Sequence, residues 1–215
     1  MNIFTTQVNI LMKNADFYAL MVKKRLNNQQ IQLTGQCMKA IAFIFCGFIL
    51  LHAPSSIADT ESVSANGFVI TNTVTVAATP AQSWRAMTQH IDEWWPKDHS
   101  WWNGKFSISA RAGGCFCETS GARSAEHMRV VFVDPDRTLR MTGGLGPLQG
   151  MGMFGALDWQ FTSVDEAPAT STITLRYHVQ GYSASGYDDL APIVDKVQGL
   201  QLQALADFLQ PDETD

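Results

Sequence analysis

Between residues 68 and 78 the chain alternates, with Val74, Val76 and Ala78 on one side and Thr73, Thr75 and Ala77 on the other. That is the period of a half-buried strand. Thr79-Pro80-Ala81-Gln82 follows and reads as a capping box, with Thr at the N-cap, Pro at the first helical position and Gln reaching back to the cap amide. Ala81, Trp84, Met87 and Ile91 then recur at intervals of three or four, one face of a short helix, and Pro96 limits a second, shorter helical piece around Trp94-Trp95.

From Ser100 the period returns to two. Phe106, Ile108 and Ala110 alternate with polar residues, Gly113-Gly114 marks a turn, and residues 115–120, 127–133 and 139–142 are short strand candidates. Asp134-Pro135-Asp136 separates two of them. Residues 153–164 and 172–180 are longer, the second setting Ile173, Leu175, Tyr177 and Val179 against Thr174, Arg176, His178 and Gln180. Residues 188–210 close the pattern as a helix of roughly 30 Å. Its stripe is Leu190, Val194, Val197, Gln201, Leu205 and Phe208, widened by Ile193, Leu202, Ala204 and Leu209. The order predicts an α+β fold: a strand, two short helices, about six antiparallel strands, and a long terminal helix gripped by the curved sheet. Such a sheet leaves a hollow under the helix wherever side chains do not fill it.

Ahead of this pattern, Met38-Lys39, an apolar run from 40 to 53 and the small residues of Ser56-Ile57-Ala58 have the form of a secretory signal peptide. The run is shorter than the roughly 20 residues a membrane span needs. Residues 1–37 read as a gene-model extension, 38–58 as the signal peptide, 59–67 as a flexible lead-in, 68–210 as one domain and 211–215 as an acidic tail. The expected product is exported, periplasmic, and without a stable membrane anchor after cleavage. From Asp59 onward there are 10 Lys and Arg against 19 Asp and Glu, a net of −9 where the whole chain carries −5. An acidic surface without a basic stripe argues against nucleic acid as a partner.

Val74-x-Val76-x-Ala78-x-Pro80-x-x-x-Trp84, Glu93-Trp94-Trp95, Gly113-Gly114 with Phe116 and Glu118, Val133-Asp134-Pro135 and the closing helix together resemble the SRPBCC (START-like, helix-grip) superfamily. The similar branch is the one grouped with the C-terminal domain of the heat-shock-protein-90 ATPase activator and with polyketide cyclase-like proteins. The resemblance implies an apolar or amphipathic small molecule bound under the long helix, and it supplies no catalytic motif, metal or cofactor to carry over. Export away from the chaperone and ATP argues against a co-chaperone role.

Trp94, Met128, Met153, Trp159, Tyr177 and Leu205 are the expected lining of the hollow, with Glu118 as polar anchor. Glu118 shares a face with Phe116, and burial would raise its pKa, as for a general base. An enzyme on this scaffold, a cyclase or hydratase, would use Glu118 or His127 as that base. A third reading is an interaction module with a filled core. Arg176 and His178 fall on the solvent face by strand parity. Cys115 and Cys117 are expected as buried thiols. A disulfide between them needs a bulge or turn, because i and i+2 of a strand sit nearly 7 Å apart, at the outer limit for bridging, and a metal site using His127 matches zinc spacings poorly. Trp94, Trp95, Trp101 and Trp102 read either as core under the short helices or as an aromatic wall. The glycine- and methionine-rich segment 143–153 lacks a phosphate-loop fingerprint and is expected to be a mobile hairpin at the cavity mouth.

Overall fold

A computed structural model describes residues 57–164 and 167–210; the expected signal peptide, apart from its last two residues, and the acidic tail lie outside them. Eight strands form one antiparallel sheet: β1 (Ile57–Ser64), β2 (Gly67–Val76), β3 (Lys105–Ile108), β4 (Cys115–Ser120), β5 (Arg123–Asp134), β6 (Thr138–Gly143), β7 (Phe154–Val164) and β8 (Ala167–Gln180). Their spatial order is β1-β2-β8-β7-β6-β5-β4-β3. Between β2 and β3 lie α1 (Pro80–Gln89), α2 (Ile91–Trp94) and a 3-10 turn (Lys97–His99); α3 (Pro147–Gly150) joins β6 to β7, and α4 (Leu190–Phe208) ends the domain. The long terminal helix lies against β2 and β1, so the architecture is helix-grip-like.

Each element follows from the pattern that forms it. The capping box of α1 is complete: Thr79 Oγ1 accepts from the Gln82 N–H, and the Gln82 side chain accepts from the Thr79 N–H at 2.8 Å. Phe68, Ile70, Val74 and Val76 of β2 face inward, as do Ile173, Leu175, Tyr177 and Val179 of β8. Arg176 and His178 are exposed on the opposite face, as parity requires.

Three expectations are corrected. Where a flexible lead-in was expected, β1 pairs with β2 along 57–64. It is an edge strand whose residues 61–64 are all exposed, so no apolar alternation announces it. Glu61 docks on Thr71 and Arg176 instead. On α4, Ile193 and Phe208 are exposed, 41% and 39%, while Gln198 joins Gln201 on the buried face. The segment 143–153 is packed: Leu145, Leu148 and Met153 are buried, and the Leu145 N–H donates to Tyr177 Oη at 3.0 Å.

Candidate functional site

The pairing of β4 with β5 shifts by one residue in its middle. Phe116 faces Met128 and Cys117 faces Glu126, so His127 is left over. This is a β-bulge on β5, two residues opposite one. Its consequence is visible in burial, because His127 and Met128, adjacent in sequence, are both buried. A regular strand would send them to opposite faces. The bulge therefore delivers an imidazole to the inner side of the sheet, where Glu118 of β4 already points.

Glu118 is fully buried, and its carboxylate is saturated with donors. Oε1 accepts from Ser100 Oγ at 2.6 Å, the Trp102 N–H at 3.1 Å and the Gly104 N–H at 3.0 Å. Oε2 accepts from the Trp101 N–H at 3.0 Å and from His127 Nε2 at 3.1 Å. Ser100 Oγ in turn accepts from the N–H groups of Trp102 and Gly104. One carboxylate thus pins a five-residue loop to the sheet. Asn103 completes that turn at φ 53°, a left-handed conformation that Asn tolerates. Gly104 has no alternative, since a Cβ there would meet Glu118 Oε1 at 2.6 Å.

This surrounding reverses the expected pKa of Glu118. Burial pushes it up, but the Ser100 hydroxyl and the N–H groups of Trp101, Gly104 and Trp102 outweigh burial and hold it below the ordinary carboxylate range. The carboxyl is an ionised fastening with its lone pairs occupied, not a raised general base. His127 is lowered as well, burial prevailing over the Glu118 hydrogen bond and charge. The pair is therefore a neutral imidazole donating Nε2–H to a carboxylate. Phe116 and Phe106 pack against that ring, and Trp101 lies parallel to it at 4° and 6.5 Å between centroids.

The pinned loop forms one wall of a hollow of about 430 Å3 lined by Trp101, Trp102, Ser124, Ala125, Glu126 and Gln149. Gln149 is fixed by donating from Nε2 to the Glu126 carbonyl at 2.7 Å. A second hollow, about 90 Å3, lies at the β1–β2 turn.

The space under α4 is different from expectation. Trp159, Leu175, Tyr177, Leu202 and Leu205 are each at most 1% exposed, which leaves no room for a water beside them. Trp94, Met128 and Met153 are buried too. Trp94 donates from Nε1 to the Ala86 carbonyl and packs edge-on against Trp159. Tyr177 Oη donates to the Gly143 carbonyl while accepting from Leu145, and burial pushes its pKa up to about 12. The residues expected to line a cavity are thus brought together as core, apart from Glu118 with its neighbour His127. Within that core Asn72 donates from Nδ2 to Asp195, and Gln198 donates to Gln201, which reaches Nδ1 of His99. Asn72 Oδ1, Gln198 Oε1, Trp95 Nε1 and Trp159 Nε1 are buried without a hydrogen-bond partner.

Cys115 and Cys117 form a disulfide with Cα atoms 5.5 Å apart, which corrects the expectation of buried thiols. The bulge that bridging needs is present beside it. No group of three or more potential metal ligands occurs among the described residues. The sequence reading missed Ser100 and Gly104 as loop fasteners and Ser124, Glu126 and Gln149 as lining; Ser-Trp-Trp-Asn-Gly, a turn signal holding two indoles, was the available clue.

No family model matches the sequence, and no curated protein does. Among solved structures the chain is similar to a conserved protein of unknown function from Enterococcus faecalis, with 11% identity, a TM-score of 0.50, and 71% of this chain and 77% of that chain covered. CalU16 from Micromonospora echinospora gives 13%, 0.47, 75% and 88%, and protein NE0264 from Nitrosomonas europaea gives 13%, 0.48, 69% and 97%. At these identities the likeness concerns the fold.

Proposed function

We propose that the domain binds a small amphipathic molecule with a flat apolar face, held against Trp101 and Trp102. The observation that carries this reading is the fastening of the 100–104 loop. A buried carboxylate accepts five hydrogen bonds, four of them from that loop and one from a histidine stacked beneath Trp101. Two indoles carried by a fastened backbone beside an open surface hollow of about 430 Å3 offer an apolar wall with a few polar groups at its edge. Ser124, Glu126 and Gln149 supply the polar edge. A guest that removes roughly 200 Å2 of apolar surface from water gains about 5 kcal/mol before the cost of association, so the polar edge decides whether binding is useful.

The test uses two fluorescent probes, 1-anilinonaphthalene-8-sulfonate and the uncharged N-phenyl-1-naphthylamine, titrated into the whole protein. Trp101→Ala and Trp102→Ala should each weaken binding by about tenfold, or 1.4 kcal/mol, with unchanged circular dichroism. Leu205→Ala should leave it alone. Probe binding that survives both tryptophan changes sinks the assignment.

A second site, under α4, is favoured by the unpartnered Asn72 Oδ1 and Gln198 Oε1, which a polar guest or water would satisfy. It requires α4 to lift, and it predicts that Leu205→Ala, not the tryptophan changes, alters binding. The enzyme reading is weaker than either, because Glu118 has no lone pair left to accept a substrate proton. Membership of the SRPBCC superfamily, export to the periplasm and the absence of a nucleic-acid partner belong to the same proposal. They are supported by the order of motifs, the run at 38–58 and the acidic balance. N-terminal sequencing of the protein from its own cells tests export: a mature start near Asp59 supports it, and an intact Met1 or Met38 refutes it.

A further inference from the structure

We propose that the Cys115–Cys117 disulfide is a redox-active site that oxidises dithiols. It lies on the outer face of β4 and shares only Glu126 with the edge of the small-molecule hollow. Phe116 and Glu118 point inward, so Cys115 and Cys117 point outward, and both are only half-buried. A bridge across a single residue closes a very short loop and restrains the unfolded chain little, and β4 is already held by β3 and β5. The bridge is therefore a poor staple. It draws the two Cα atoms to 5.5 Å, where an extended strand places them at nearly 7 Å, twice the rise of about 3.4 Å. Opening it lets the strand lengthen next to Glu118.

The outer face of β5 makes the two sulfurs unequal. In register, Cys115 faces Arg129 and Cys117 faces Glu126, and those side chains form an ion pair of 2.7 Å that spans the bulge. Arg129, in register with Cys115 on the same outer face, brings positive charge that favours a departing thiolate there, and exchange proceeds with the sulfur whose partner leaves best. A thiolate of the dithiol attacks Cys117 Sγ. The Cys115–Cys117 bond breaks, and Cys115 Sγ leaves with the electron pair. The second thiol, losing its proton to solvent, attacks its own sulfur in the mixed disulfide, and Cys117 Sγ leaves as thiolate. Two electrons have moved to the protein, and the dithiol has become a disulfide. Both cysteine thiolates then take protons according to the pH.

Native protein is mixed with one equivalent of dithiothreitol without air, quenched with iodoacetamide at intervals, and weighed by mass spectrometry. The expected result is alkylation of Cys115 and Cys117 in the folded protein, with the bridge re-formed on adding excess oxidised glutathione. Arg129→Gln should slow the first step roughly threefold through the leaving-group pKa, and Glu126→Gln, which removes the nearby repulsion of an anionic attacker, should hasten it. A bridge that stays closed until denaturant is added overturns the proposal. So does an Arg129→Gln rate equal to that of the unaltered protein, and Glu126→Gln supplies the same reading if Arg129→Gln does not fold.

Discussion

Replacing Glu118 with Gln removes one charge and keeps the shape, so it isolates what the carboxylate does. Gln has one acceptor oxygen where five donors converge. If the amide oxygen takes the Oε1 position, it still serves Ser100, Trp102 and Gly104, but the amide N–H2 then faces the Trp101 N–H. His127 can change tautomer and accept; the Trp101 N–H cannot, and is left buried and unpaired at about 1–3 kcal/mol. The three surviving bonds lose charge assistance, which is worth about half of each. Together these come to about 4 kcal/mol. For a domain of this length, 1 kcal/mol moves Tm by about 2–4 °C, so Glu118→Gln should lower Tm by roughly 8–16 °C in circular dichroism at pH 7.

The pH dependence gives an independent reading. The folded pKa of Glu118 is depressed, so its contribution is complete above the unfolded carboxylate pKa and is lost as pH falls through the lower folded value. The gap between the two proteins should therefore narrow in acid. His127 has a depressed folded pKa too; its neutral form contributes fully above about 6.5, and that contribution also fades toward acid. Without the carboxylate, burial alone acts on the ring, and its pKa should fall further in an NMR titration. A loss below about 1 kcal/mol, a gap that does not change with pH, or a rise in the His127 pKa would refute the fastening.

Gly104→Ala should cost at least as much, because the new methyl meets Glu118 Oε1, Glu118 Cγ and the Thr119 carbonyl all within 2.7 Å; chemical denaturation should show a loss of about 3 kcal/mol or more. Tyr177→Phe leaves the Leu145 N–H and the Gly143 carbonyl unpaired and should lower stability by about 2–4 kcal/mol. With the Tyr177 pKa raised to about 12, the stability this residue brings is complete below pH 10 and lost as pH climbs toward 12, an alkaline slope that the Phe variant should lack. Thr79→Ala leaves the Gln82 N–H without its side-chain cap, while the residue 79 N–H still donates to Gln82 Oε1, and should cost about 1 kcal/mol by urea unfolding.

How far the chain betrays its structure depends on whether the forces at a position are local. The α1 cap is legible because Thr79 and Gln82 satisfy each other within four residues. β2 and β8 are legible because they are central strands with one dry face. β1 is not, since an edge strand with a solvated outer side needs no apolar alternation. Parity with Phe116 rightly turned Glu118 inward, yet the sign of its pKa was out of reach, because the donors come from residues 14–18 positions earlier in a loop. His127 misleads in the opposite way. Read as an ordinary strand, β5 separates His127 from Met128; only its pairing with a contracted β4 reveals that both face in. On α4, the stripe read from the sequence includes Gln201 but omits Gln198, and together the two form a buried polar seam that reaches His99.

That seam decides between the two binding sites. Lifting α4 exposes Val194, Leu202 and Leu205, at about 2 kcal/mol each or some 6 kcal/mol in all. The buried β2 face beneath adds to that cost, while water reaching Asn72 Oδ1 and Gln198 Oε1 returns about 2 kcal/mol apiece, so opening the helix costs less than it would for an all-apolar face of the same size. An all-apolar helix face would carry no such refund, and the interior would then stay shut under all native conditions. Hydrogen exchange measures the balance directly. If the amides of Gln201, Leu202 and Leu205 exchange through an opening far less costly than global unfolding, while those of β7 and β8 do not, the interior is accessible to a guest. If all of them share one protection level, the helix stays seated. The outer hollow at Trp101 and Trp102, which needs no opening, is then the site that remains.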